Sequence, residues 1–161
     1  MPVLGNDAGT GGDAGNTTSS ATPLPATNGT YYGNLTTSSD TSDYYLINMS
    51  SNTGIAVQIT YPSSADFDLA LLNSGGGYID LSTNAGTTDD VTSNGTSVGG
   101  NSVYIWVDHY SGTAQYTMQI WIFSTGSSGG GGGGAGSGNN GHDAGTGNDA
   151  GNSQASAMLI N

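Results

Sequence analysis

The chain carries twelve carboxylates, all of them Asp, and not one Lys, Arg or Glu. That single fact constrains the fold more than any other. No aspartate that enters the interior can be paired with a permanent side-chain cation. Clustered Asp must be neutralised by a bound cation or diluted over the surface. The formal net charge of -12 also excludes whole classes of partner. Nucleic-acid phosphates and anionic lipid surfaces both require cationic side chains that this chain lacks. There is no Cys, so disulfides and thiolate metal sites are excluded as well.

The second constraint is a repeat. Residues 5–16 read GNDAGTGGDAGN and residues 141–152 read GHDAGTGNDAGN, ten of twelve positions being identical. The likeness continues weakly, Ser20-Ala21 matching Ser156-Ala157 and Pro23-Leu24 matching Leu159-Ile160. The C-terminal stretch reads as the opening of a second copy, from a tandem array or as a segment that docks on a neighbour. Four zones follow: a Gly/Asp lead-in with a first edge segment (1–29), a globular part (30–123), a Gly/Ser linker (124–140) and the second opening (141–161). The linker composition gives a flexible coil of roughly 20–25 Å mean span.

Within 30–123, apolar residues alternate with a period of two. Ile55, Val57, Ile59 and Tyr61 fall on one face, as do Val103, Ile105 and Val107, then Tyr116, Met118, Ile120 and Ile122. Phe67, Leu69 and Leu71 alternate with Asp66 and Asp68. Shorter strands are predicted over 31–36, 43–49 and 77–81, with Gly, Asn, Ser and Pro turns between. No stretch carries a helical period. Seven or eight short strands at this spacing predict an all-β fold, an antiparallel β-sandwich.

The order of landmarks resembles the bacterial pre-peptidase C-terminal domain, related to the collagen-binding domains of secreted collagenases. The carrying pieces are Asp40-Thr41-Ser42-Asp43-Tyr44-Tyr45, Asp66-Phe67-Asp68-Leu69-Ala70-Leu71, Val103-Tyr104-Ile105-Trp106-Val107 and Ala114-Gln115-Tyr116-Thr117-Met118. The match as a whole covers residues 17–123 in order. The resemblance implies a jelly-roll-like sandwich without catalysis, found beside secreted proteases or repeated in surface proteins. It also implies calcium held between the lead-in and the loop at Asp40–Asp43. The relatives' lead-in is rich in Glu, whereas this one uses Asp and Gly.

The residues themselves support that chemistry. Asp7 and Asp13 sit in a loop punctuated by Gly9, Gly11, Gly12 and Gly15, which lets carboxylates and carbonyls converge. Calcium takes six to eight hard oxygen ligands in flexible geometry. Asp7 and Asp13 are the expected ligands of a structural Ca²⁺, joined, as the resemblance implies, by Asp40 and Asp43, with Asp143 and Asp149 repeating the pattern; the alternative is a solvated loop whose Asp residues cap turns. Asp66 and Asp68 read first as turn and backbone partners, and Asp89-Asp90 as a solvated turn. Asp108-His109 among many serines does not form a hydrolytic triad, because strand neighbours point to opposite faces. Sequons mark Asn16, Asn28, Asn34, Asn48 and Asn94 as glycosylation candidates.

The reading is therefore a non-enzymatic extracellular repeat of a cell-surface array or filament, calcium-stabilised at its joints, whose partners are copies of itself. Ala155–Ile160 would add to a neighbour's sheet edge. The alternative is a carbohydrate- or collagen-binding module of a secreted hydrolase, binding an extracellular glycan or matrix through Tyr104, Trp106 and Trp121.

Overall fold

The computed structural model describes residues 6–126. Nine strands form two sheets: β1 (Thr22–Leu24), β2 (Gly29–Leu35), β3 (Ser42–Asn48), β4 (Thr53–Thr60), β5 (Asp66–Leu72), β6 (Tyr78–Ser82), β7 (Thr88–Thr92), β8 (Ser102–Ser111) and β9 (Ala114–Ser124). One sheet has the order β1-β3-β8-β5-β6 and the other β2-β9-β4-β7. Every pairing is antiparallel except β1 on β3, where Thr22, Pro23 and Leu24 lie parallel to Tyr45, Leu46 and Ile47. This is the expected all-β sandwich, and no helix among the described residues is long and apolar enough to cross a membrane.

The period-two pattern decides the layers. Tyr45 and Ile47 of β3, Val103, Ile105 and Val107 of β8, and Phe67, Leu69 and Leu71 of β5 point inward from one sheet. Ile55, Val57 and Ile59 of β4 and Tyr116, Met118 and Ile120 of β9 meet them from the other. These side chains are essentially solvent-free, and at about 25 cal/mol per Å² their burial is the main favourable term in folding. The phenyl ring of Phe67 packs on Tyr61, with Tyr116 edge-on beyond it.

Two elements depart from the sequence expectation. β1 and β7 carry too few apolar residues to show a period, and both owe their place to pairing: β1 to the free edge of β3, β7 to β4. Asp89 is not in a solvated turn. It shares the inward parity of Val91 on β7 and is fully buried, while Asp90 faces solvent. Its carboxylate accepts from the Tyr61 hydroxyl, the Ser82 hydroxyl and the Asn84 N–H, so both oxygens are satisfied.

The lead-in is part of the fold. Ala14 is fully buried and plugs the open side of the sandwich, where the edge strand β2 of one sheet meets β3 of the other. The Tyr44 N–H donates to the Gly15 carbonyl, and the Asn34 N–H on the β2 edge donates to Asp7. Residues 7–15 thus stitch the two sheets together through backbone groups that both edges would otherwise leave unpaired. Gly15 has a φ of +84°, and a Cβ there would lie 2.2 Å from the Ser20 carbonyl oxygen, so the turn requires Gly. The linker beyond residue 126 and the second opening at 141–161, with Asp143 and Asp149, lie outside the described residues.

Candidate metal centre

Four aspartates converge at the end of the sandwich that the lead-in covers. One carboxylate oxygen from each of Asp7, Asp13, Asp40 and Asp43 lies within 4.8 Å of the others. They arrive by separate routes. Asp7 comes from the first turn of the lead-in and Asp13 from the Gly-rich loop before Ala14. Asp40 closes the β2–β3 loop, its carbonyl accepting from the Thr36 N–H. Asp43 is the second residue of β3 and shares the inward parity of Tyr45 and Ile47, so β3 drives a carboxylate into the core.

The hydrogen bonding is incomplete in a specific way. Asp7 is fully buried; its Oδ1 accepts from the Asn34 N–H at 2.9 Å and its Oδ2 from the Ala14 N–H at 3.2 Å. Asp43 is also fully buried, and its Oδ2 accepts from the Tyr116 hydroxyl. The Tyr45 and Tyr116 hydroxyls lie 2.7 Å apart, so a chain of hydroxyls ends on this carboxylate. Asp43 Oδ1 and Asp40 Oδ1 are buried and no donor reaches them, while the Asp13 carboxyl lies close enough to Asp40 to share a proton with it. An orphaned buried acceptor costs about 1–3 kcal/mol, more if charged. Asp89, the other inward carboxylate, shows what a finished purely structural site looks like here, with every oxygen satisfied.

The electrostatics agree. Burial pushes Asp43 up to about 9, aided by the charge of Asp7 and opposed by the Tyr116 hydrogen bond. Burial and then the neighbouring Asp13 carboxylate push Asp40 up to about 7. Asp7 is raised too, burial outweighing its backbone hydrogen bonds. With no Lys or Arg in the chain, the cluster holds protons at neutral pH or holds a cation. All-oxygen donors on Gly-rich loops, without His or Cys, suit a hard divalent ion of calcium's kind. Two buried oxygens without a donor, in a cluster of four carboxylates, would give such an ion part of its ligand set.

Sequence reasoning chose these four aspartates but missed the second layer. Gly33 lies opposite Tyr116 on β2, and a Cβ there would lie 2.2 Å from the Tyr116 hydroxyl oxygen. This Gly is what lets the Tyr116 hydroxyl reach Asp43. Asn34 supplies both its N–H and its Nδ2 to Asp7. It is 4% exposed, which corrects its reading as a glycosylation candidate: no glycan fits on a buried amide. Asn16, Asn28, Asn48 and Asn94 are exposed.

The remaining candidates lie elsewhere. Asp68 faces Asp108 across β5 and β8 on the outer face of the five-stranded sheet. Next to that pair, Tyr44 and Trp106 stack with centroids 5.5 Å apart. A recess of about 160 Å³ opens there, lined among others by Asp68, Tyr78, Trp106 and Asp108. The His109 ring packs on Phe67 and its Nε2 contacts the Gly112 carbonyl, while Asp108 accepts from the Ser42 hydroxyl. His109 is thereby committed to packing and to a turn.

The sequence matches no protein-family model, and no curated protein matches it. Among solved structures, the chain is similar to the pre-peptidase C-terminal domain of a collagenase from Bacillus anthracis. The TM-score is 0.50 and the identity 18%, over 62% of this chain and 93% of that one. It is more distantly similar to a mitogen from Yersinia pseudotuberculosis (TM-score 0.45, 19% identity, 58% of this chain and 83% of that one). The same holds for PliG, a periplasmic inhibitor of g-type lysozyme from Aeromonas hydrophila (0.46, 13%, 63% and 96%). The fold is that of the pre-peptidase C-terminal domain, a β-sandwich, as the ordered motifs imply; at this identity the likeness speaks for the fold alone.

Proposed function

We propose that this chain is a non-enzymatic extracellular module, a unit of a cell-surface array or filament, whose lead-in is locked onto the sandwich by Ca²⁺. The observation that carries the reading is Asp43 Oδ1: a fully buried carboxylate oxygen without a partner, beside three further carboxylates, in a chain without cationic side chains. Asp7 and Asp13 would bring the lead-in to the ion and Asp40 and Asp43 the sandwich. The ion's contribution is electrostatic and mechanical. It neutralises the cluster and fixes the angle at which the chain enters the domain. An acidic, hydroxyl-rich chain that lacks Lys and Arg, and so has no site for trypsin-like proteases, suits exposure outside the cell.

Calorimetric titration of the chain with CaCl₂ tests this reading. One saturable site per chain, lost in an Asp40→Asn/Asp43→Asn variant, supports it. Absence of binding at millimolar calcium refutes it.

A second reading rests on the stacked Tyr44–Trp106 pair, with Tyr78 and Leu81 exposed beside it. Such a platform serves a carbohydrate- or collagen-binding accessory module of a secreted hydrolase. Retention on an insoluble glycan or on collagen, lost on Trp106→Ala, would favour it over the array.

A further inference from the structure

We infer that residues 142–160 are a second lead-in that seats on the sandwich of another copy of this chain, in the place residues 6–24 occupy on their own. The inference deepens the array reading and does not depend on calcium. It rests on which lead-in residues make the contacts. Asp7 accepts from Asn34, Ala14 fills the core gap, Gly15 accepts from Tyr44, and Leu24 closes β1 against β3. At the constant offset of the repeat these are Asp143, Ala150, Gly151 and Ile160. Three are identical and the fourth keeps an aliphatic side chain.

The conformational requirements are kept too. Gly9, Gly11 and Gly15 have positive φ, and their counterparts Gly145, Gly147 and Gly151 are all Gly. Ala8, the one non-Gly lead-in residue with a positive φ, is matched by Ala144. Ser20, whose hydroxyl bonds Thr17, is matched by Ser156, and Thr17 by the hydroxyl of Ser153. The two lead-in positions that differ within the repeat, Asn6/His142 and Gly12/Asn148, contribute no side chain to the sandwich contacts above.

The places where the chain enters and leaves make the contact head-to-tail. The lead-in sits where β2 ends and β3 begins. The chain leaves β9 at the opposite end, where the Thr125 N–H donates to Asn52 in the β3–β4 turn. The eleven residues of β9 separate these ends by about 35 Å. Each sandwich's seat is filled by its own lead-in, so a donated segment takes that place on another molecule by displacing the resident lead-in. Such a heterologous contact propagates as an open chain unless the rotation between successive copies closes a ring. The mode is now specific: Met158–Ile160 would run parallel to β3 as β1 does, not antiparallel.

A cysteine pair reads this directly, because the chain has no Cys of its own. Pro23 lies opposite Leu46, so position 159 of a donor would lie opposite position 46 of the acceptor. An acceptor carrying Leu46→Cys with its own lead-in unseated by Ala14→Asp is mixed with a full-length Leu159→Cys donor in a glutathione buffer. Gly15→Val replaces Ala14→Asp if that variant does not fold. The expected result is a disulfide-linked heterodimer, about tenfold more abundant than with the lead-in intact, where the contiguous segment outcompetes the donor by effective concentration. Adding Ala150→Asp to the donor should abolish it. A heterodimer yield no higher than with a Leu81→Cys acceptor, or one indifferent to Ala150→Asp, overturns the inference. Calcium and chelator arms keep the two proposals apart. Equal cross-linking in both would count against the metal reading alone, and none in either against the exchange alone.

Discussion

Replacing Asp43 by Asn pulls in opposite directions depending on whether calcium is present. At about pH 7.5 without metal, the folded side chain, pushed up to about 9, keeps its proton, while the unfolded one is ionised. By linkage, that retained proton costs folding roughly 5 kcal/mol. Relaxation and water entry at the cluster reduce the recoverable part to about 2–3 kcal/mol. Asn avoids the cost. Its Oδ1 can accept from Tyr116 and its amide can donate toward Asp7, Asp13 or Asp40. For a domain of this size the metal-free melting temperature should rise by about 10–20 °C. In calcium at a hundred times its Kd, the wild-type chain gains about 2.7 kcal/mol, and the variant, one anionic ligand short, gains far less. Melting curves of both proteins, in excess calcium and in chelator, give the four values needed. The variant should melt above the wild type in chelator and show little response to calcium. Equal destabilisation in both conditions would refute the reasoning and leave Asp43 a mere packing residue.

Further expectations follow from the same geometry. The folded state of the metal-free chain binds more protons than the unfolded state between about pH 4 and the raised values near 7 and 9. Its stability therefore falls as pH rises through that window, by about 1.4 kcal/mol per pH unit for each retained proton and less for the partly exposed Asp40; denaturant midpoints across the range check this, and saturating calcium should flatten the slope. Gly33→Ala should displace Tyr116, cost about 1–3 kcal/mol and weaken calcium binding, whereas a neutral result would contradict the role given to the Tyr116 hydroxyl. Asp89→Ala removes one carboxylate that accepts three hydrogen bonds; it should cost about 3 kcal/mol equally in calcium and in chelator, as denaturant melts would show.

Much of this was legible in the sequence. Strict alternation in β4, β8 and β9 fixed the layers, because one face of each strand meets a core. The four ligand candidates were legible as Asp residues placed among turns and a strand start. The inward aim of Asp43 was written in its parity with Tyr45 and Ile47. What stayed hidden depends on non-local contact. Leu35, Asn34 and Gly33 are all buried, breaking the alternation of β2, because the lead-in covers the face that would otherwise meet water. Asp89 read as a solvated turn because its three donors, Tyr61, Ser82 and Asn84, come from three other segments. The short β1 is defined by the free edge of β3, a feature that no periodicity in three residues can announce.

A crystal structure of the chain grown in calcium, with the anomalous signal used to locate the ion, is the most direct measurement of the central claim. The account predicts one ion at about 2.3–2.6 Å from carboxylate oxygens of Asp7, Asp13, Asp40 and Asp43, with Asp43 Oδ1 among its ligands. An empty cluster at saturating calcium, its carboxylates sharing protons among themselves, would contradict it.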